Sequence, residues 1–300
     1  MVTFNVGITT PTGIQGTATL SGVVWKWYPP TPRIYTFTLT GGAGGGGWGA
    51  GGGGQGGRSA QLTVTYNVTD ITVPFYIVVG GGGKRNPSNL GGGAGGGGGA
   101  TYVFTYSGSL NDWAVAGGGG GGGYNINNGQ DALITPVNTL SSSVQRTWIQ
   151  SSSFSGHQVY QFGDTREFYI IDGLDSQQTG SDAGTSGVNG AYPGASAYAI
   201  SPTSSFAGGS GFPGGNVVTP PEYSFGYPGG NGGIGGGGGG AWAGGGGGGG
   251  VTGGAGGSNL LPSLGGTSGC SSKFTQTSLT NPGSVTLPRT DGFDGSVVIT

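Results

Sequence analysis

The chain has 300 residues, of which 79 are Gly, 9 are Lys or Arg and 11 are Asp or Glu, for a net charge of −2. The nine cations are scattered and only Lys84-Arg85 are adjacent, which excludes the clustered basic footprint of a nucleic-acid binder. Charged residues at 7% and aromatic residues at 10% also exclude the charge-rich, aromatic-poor composition of ordinary disordered chains.

In chain order, Val2–Val6 alternates as a strand does, Thr17–Leu20 leads to Val23–Tyr28, and Ile34–Thr40 is the clearest early strand. A glycine block follows at once, Gly41 to Gly57, interrupted at Ala43, Trp48, Ala50 and Gln55. The pattern then repeats. Strand-like Ala60–Val68 and Ile71–Val79 run into Gly80–Gly83, and Gly91–Gly99, broken by Ala94, runs into Thr101–Tyr106. Trp113–Ala116 leads into Gly117–Gly123, and a last block spans Gly229 to Gly257 with Ile234, Ala241-Trp242-Ala243 and Val251-Thr252 inside it. Residues 124–228 differ, with most of the acidic side chains, the single His and strand candidates at Ser143–Gln150, Gln158–Phe162 and Arg166–Ile171. The end of the chain offers Gly283–Leu287 and Gly295–Thr300. No long window carries a 3.6-residue apolar period, so almost no α-helix is expected.

A glycine run is ordinarily a flexible linker. Here several runs alternate with β-rich segments, and their interruptions are mostly Ala, Trp, Ile or Val rather than solvating residues. Ordering Gly costs more backbone entropy than ordering any other residue, so an ordered run must recover it through close contact and hydrogen bonds. An extended left-handed helix of three residues per turn directs its N–H and C=O groups outward, and without side chains such helices can pack and bond to several neighbours. Collagen needs Gly at strict threes with abundant Pro, and the interruptions break that period. The expected fold class is therefore mainly β with packed polyglycine helices, in one composite domain over residues 1–300 that carries a β- and loop-rich insertion at 124–228. Scaffold positions are Gly44, Gly46, Gly52, Gly93, Gly97, Gly120, Gly237 and Gly247, with Trp48 and Trp242 sealing the edge of the bundle.

The order of these junctions resembles the glycine-rich domain of the anaplastic lymphoma kinase and leukocyte tyrosine kinase ectodomains. The residues that carry the likeness are Ile34–Thr40 into Gly41–Gly47, Phe75–Val79 into Gly80, Gly95–Gly99 into Thr101–Phe104, and Trp113–Ala116 into Gly117–Gly123. The resemblance implies polyglycine-II helices in a hexagonal array beside a jelly-roll-like β portion, and recognition without catalysis. More loosely the chain is similar to distal tail-fibre adhesins of T-even-like phages and to glycine-rich virion proteins of large DNA viruses. The receptor domains are Cys-rich, whereas this chain has Cys270 alone, which leaves no partner for an intrachain disulfide. Met1–Gly7 lacks the charged and apolar regions of a secretion signal, which favours a particle protein over a receptor.

Catalytic and cofactor expectations are negative. His157 has no G-x-S-x-G elbow to serve. Gly80–Arg85 fails the phosphate-loop pattern at Val78 and Arg85. One His and one Cys cannot build the usual zinc site, Asp172, Asp175 and Asp182 lack EF-hand spacing, and Asp291 and Asp294 read as turn residues. No apolar stretch is long enough to span a membrane. The expected function is a non-enzymatic structural component of a virus particle, partnered with other particle proteins and forming a homo-oligomer such as a trimer. The alternative is an adhesin for a host surface glycan or protein, with Tyr192, Tyr198, Phe206, Phe212, Tyr223 and Tyr227 as candidate recognition residues.

Overall fold

The period-two pattern of the N-terminal third sets the frame of the fold, seen here in a computed structural model. The structure describes residues 1–5, 13, 16–21, 24–49, 52–85, 93–107, 110–124, 127–136, 159–161, 167–169, 230, 232–233, 237–238, 240, 244–251, 253–254, 256–257 and 262–300. Strands are β1 (Val2–Asn5), β2 (Thr17–Ser21), β3 (Val24–Tyr28), β4 (Arg33–Thr40), β5 (Gln61–Val68), β6 (Phe75–Val78) and β7 (Thr101–Ser107). They continue as β8 (Leu110–Ala116), β9 (Leu133–Pro136), β10 (Val159–Gln161), β11 (Glu167–Tyr169), β12 (Thr267–Cys270), β13 (Thr275–Thr280) and β14 (Ser296–Ile299). The protein is mainly β, with no helix among the described residues.

Two sheets pack face to face. The order β1-β14-β4-β5-β13 is antiparallel throughout, while β2-β3-β6-β7-β8-β12-β9 is antiparallel except for the parallel pair β12–β9. Along β4, Tyr35, Phe37 and Leu39 turn inward while the threonines between them stay partly exposed, as a half-buried strand requires. The seven-stranded sheet answers with Trp25, Trp27, Phe75, Ile77 and Val103. Ring contacts join the sheets: Trp27 meets Tyr35 at 5.4 Å and Phe37 at 6.3 Å edge to face, and Phe37 meets Phe75 at 5.0 Å in a tilted pair, centroid to centroid. A polar bond crosses the core, from the Tyr66 hydroxyl of β5 to the buried Asp112 carboxylate of β8 at 3.0 Å. The centre of the seven-stranded sheet is buried on both faces, so Phe75–Val78 and the residues from Trp113 to Ala116 read as continuous apolar runs rather than alternating ones.

Several strand expectations shift. Ile71–Val79 shortens to Phe75–Val78, because Asp70 accepts the Thr72 N–H and hydroxyl and makes a turn of the preceding residues. Gly283–Leu287 forms no strand beyond the isolated bridge of Thr286 to Gly56. Strands β9, β12 and β13 were not expected; Thr275–Thr280 is mostly exposed and polar, and Thr267–Cys270 is short, so neither has the apolar alternation that marks a strand. Gln158–Phe162 and Arg166–Ile171 correspond to the paired strands β10 and β11, and Ser143–Gln150 lies outside the described residues.

Glycine enters and leaves at one end of this sandwich. Strands β4, β6 and β8 run out into glycine at residues 41, 80 and 117, and β5, β7, β9, β12 and β14 are each entered from glycine-containing segments. The strand pairings put all of these termini at the same end. There the Thr101 hydroxyl ties the sheets, donating to the Thr40 carbonyl and accepting the Gly80 N–H.

Candidate functional site: a glycine array and its tip

Beyond the sandwich the glycine segments bond mainly to one another. Gly117–Gly123 lies at the centre. Its donors divide by threes: Gly118 and Gly121 bond to the carbonyls of Gly249 and Gly246, Gly119 and Gly122 to Gly42 and Gly45, and Gly120 and Gly123 to Gln130 and Asn127, at 2.7–3.0 Å. Its acceptors divide the same way. The carbonyls of Gly117, Gly120 and Gly123 take the N–H groups of Ala60, Gly57 and Gly54, and those of Gly119 and Gly122 take Gly98 and Gly95. The remaining direction is filled by Gly266 N–H on Gly118 and the Ser263 hydroxyl on Gly121. Each neighbour thus meets every third residue, and six segments surround one. The segment from Gly41 repeats the rule, with Gly41, Gly44 and Gly47 bonded to Ala60, Gly57 and Gly54, and Gly42, Gly45 and Trp48 bonded to Gly99, Gly96 and Gly93.

Close approach, rather than left-handed backbone, is what demands glycine here. Positive φ among the described glycines is confined to Gly13, Gly16, Gly52, Gly53, Gly93 and Gly283, so Gly117–Gly123 needs no special dihedral. A methyl on Gly119, however, would stand 2.5 Å from the Gly57 carbonyl carbon and closer still to its oxygen. Gly44, Gly98 and Gly118 are crowded by backbone in the same way.

At the rim, where no further glycine segment supplies a carbonyl, side-chain oxygens take over. Asn128 and Asp131 accept the N–H groups of Gln55 and Arg58, and Asp294 and Asp291 accept those of Gly82 and Arg85. Donors and acceptors alike are three residues apart, the array's own period. Asp291 and Asp294 are therefore rim acceptors for a distant segment rather than simple turn residues. Asp131 also pairs with the Arg58 guanidinium and raises its pKa above the ordinary value, first by the hydrogen bond and then by its charge. Asp131→Ala removes the backbone bond and the guanidinium pair, and with the side chains 39% and 32% exposed the expected loss is about 1 kcal/mol, read as a lower denaturant midpoint at unchanged slope.

The far end of the array is a tip of turns. Trp48 bridges Gly93 through both backbone bonds, the Gly52 N–H closes a turn on Gly49, and Tyr124 follows the central segment. The Arg289 guanidinium lies 4.7 Å from the Trp48 ring centroid.

Among the residues expected as scaffold, Gly44, Gly46, Gly97, Gly120, Gly237 and Gly247 take part in the bonded array, Gly44 with Gly57, Gly46 with Thr290, Gly97 with Gly233 and Gly238, and Gly247 with Gly238. Gly52, by contrast, is an exposed turn residue with φ +116° and open space where a Cβ would go. Trp242, His157 and the recognition candidates Tyr192, Tyr198, Phe206, Phe212, Tyr223 and Tyr227 lie outside the described residues. Sequence reasoning passed over Arg289, Asn128 and Asp131, although the spacings Asn128-x-x-Asp131 and Asp291-x-x-Asp294 beside glycine runs were a usable signal.

Away from the array, a cleft of about 400 Å³ is lined by Pro136, Cys270, Ser271, Ser272, Phe274 and Gln276. Cys270 is 5% exposed and burial pushes its thiol up, away from the reactive thiolate. Iodoacetamide should label native Cys270 at least about tenfold more slowly than the unfolded chain, by mass spectrometry. Among the described residues no group of three or more His, Cys, Asp and Glu is placed to hold a metal ion, and no helix is long and apolar enough to cross a membrane.

No protein-family model matches this chain, and no curated protein matches it.

Proposed function

We propose that the chain is a non-enzymatic structural component of a virus particle, such as a minor capsid, vertex or fibre protein, and that its glycine segments are polyglycine-II helices forming a rigid scaffold. The observation that carries this reading is the three-residue rotation of bonding partners around Gly117–Gly123, because polyglycine II has three residues per turn. The face-to-face antiparallel sheets are compatible with a jelly-roll-like β portion. A backbone lattice whose neighbours are covalently continuous with strands of both sheets resists bending, which suits a spacer or vertex element and offers nothing to a reaction. Mass spectrometry and cryo-electron microscopy of purified particles test it: the chain is expected at fixed stoichiometry, and its absence from the particle would overturn the proposal. Assembly as a homotrimer is part of the same reading, and sedimentation as a monomer at micromolar concentration would remove that part.

A second reading, host recognition, is favoured by a specific observation. The backbone bonds from Gly52 N–H to Gly49 and from Gly123 N–H to Asn127 lie at the end of the array remote from the sandwich, as expected of a rigid stalk that displays loops. Binding of the chain to host cells, competed by a soluble surface glycan or protein, tests it.

A further inference from the structure

The lateral rim near the tip gathers three of the nine basic side chains of the molecule. Lys84 and Arg85 end the segment that leaves β6, and Arg289 comes from the segment that enters β14. All three are exposed. They are joined by named contacts: Arg85 N–H to Asp291 at 2.9 Å, Arg85 Nη1 to the Arg289 carbonyl at 3.3 Å, and Lys84 Nζ to Asp291 at 3.6 Å. Three cations and the two rim carboxylates, Asp291 and Asp294, leave a local charge of +1 on a chain whose net charge is −2.

Arg289 sits where its own backbone discourages it. Leu287–Thr290 is a turn closed by the Thr290 N–H on the Leu287 carbonyl, with Pro288 at its second position and Arg289 at its third, at φ +66°. That third position favours Gly or Asn when φ is positive, and Arg289 alone among the described non-glycine residues has a positive φ. The Arg289 N–H is fixed on the Gly47 carbonyl and its guanidinium on the half-buried Trp48 ring, so the strained turn aims a planar cation at one spot. Strain held in place by its surroundings clusters at functional sites. A guanidinium pair with a neighbouring ammonium matches the paired oxygens of carboxylate and sulfate groups, and the adjoining indole suits a sugar ring.

We propose that Trp48, Lys84, Arg85 and Arg289 form a binding site for an anionic glycan carrying carboxylate or sulfate groups. The proposal rests on the recognition reading only in requiring the tip to face outward. The test is calorimetric titration of the full chain with a sulfated glycosaminoglycan hexasaccharide, with maltohexaose and a single-stranded oligonucleotide of equal charge as comparisons. Saturable binding of the sulfated hexasaccharide alone is expected. Arg289→Gly, which suits the turn, should weaken it about tenfold or more while leaving the thermal midpoint unchanged or raised. Arg289→Asn, which also tolerates positive φ, should behave alike, and Asp291→Asn, which keeps an acceptor for the Arg85 N–H, should tighten binding. Absence of saturable binding, equal binding of the oligonucleotide, or undiminished binding by both Arg289 variants would overturn the site. Undiminished attachment of those variants to host cells would leave the recognition reading standing without it.

Discussion

Gly119→Ala is expected to destabilise the protein by about 3 kcal/mol or more, at the top of the range for an added methylene in a packed interior. The reason is the nature of what the methyl meets. In an ordinary core an intruding group displaces side chains, which have other rotamers. Here it meets the Gly57 carbonyl on one side, and the Arg58 carbonyl oxygen stands 2.9 Å from the same point. Those carbonyl groups belong to a segment already bonded to Gly44 and to Gly120, so relief for one contact lengthens hydrogen bonds on two sides. Chemical denaturation of the variant, with circular dichroism for the strands, reads the effect. A variant that melts with the parent would mean that the segments slide freely past one another. Replacing Gly120 instead should be gentler for Ala than for Val, because a methyl there faces Ser263, whose hydroxyl can rotate even though its carbonyl cannot.

Phe37→Ala should cost about 3–5 kcal/mol, as expected for a buried aromatic ring. Phe37 is fully buried and touches Trp27, Phe75 and Phe274, so its loss opens a cavity between the two sheets. The more informative consequence lies elsewhere. Strand β4 runs without a break into Gly41, whose N–H is bonded to Ala60, and its partner β5 is entered from Ala60. Loosening β4 therefore withdraws support from the glycine array, and one cooperative transition is expected for sandwich and array together. Two resolved transitions by differential scanning calorimetry would show that the two parts fold independently.

The strands that pair within the sandwich were legible from residue type and pattern, by alternation along half-buried Ile34–Thr40 and by the aromatic and β-branched residues of buried Thr101–Tyr106. The exposed edge strands β9 and β13 carried no such mark; Leu133–Pro136 is exposed along its whole length, and its place is set by pairing with β12 rather than by burial. For the glycine runs, sequence alone indicated association, since most of the interruptions were apolar and the runs alternated with strands. It could not assign neighbours, because identical residues carry no register. The register is set from outside, by the strand that each run continues and by rim side chains such as Asp131 and Asp294. Arg289 was invisible for a different reason: its significance lies in a backbone dihedral and in a ring that is 241 positions away in the chain (289 less 48).

Hydrogen–deuterium exchange of the native chain, resolved to the segment Gly117–Gly123, tests the central claim directly. An unstructured glycine linker exchanges at the rate of a free peptide, because nothing shields its amides. A segment whose N–H groups are each bonded to a neighbouring backbone or to Ser268 is expected to be protected as strongly as β4 and β7, with protection lost only on global unfolding. Exchange of these amides at the unfolded rate, while the strands stay protected, would contradict the lattice and return the glycine segments to the status of linkers.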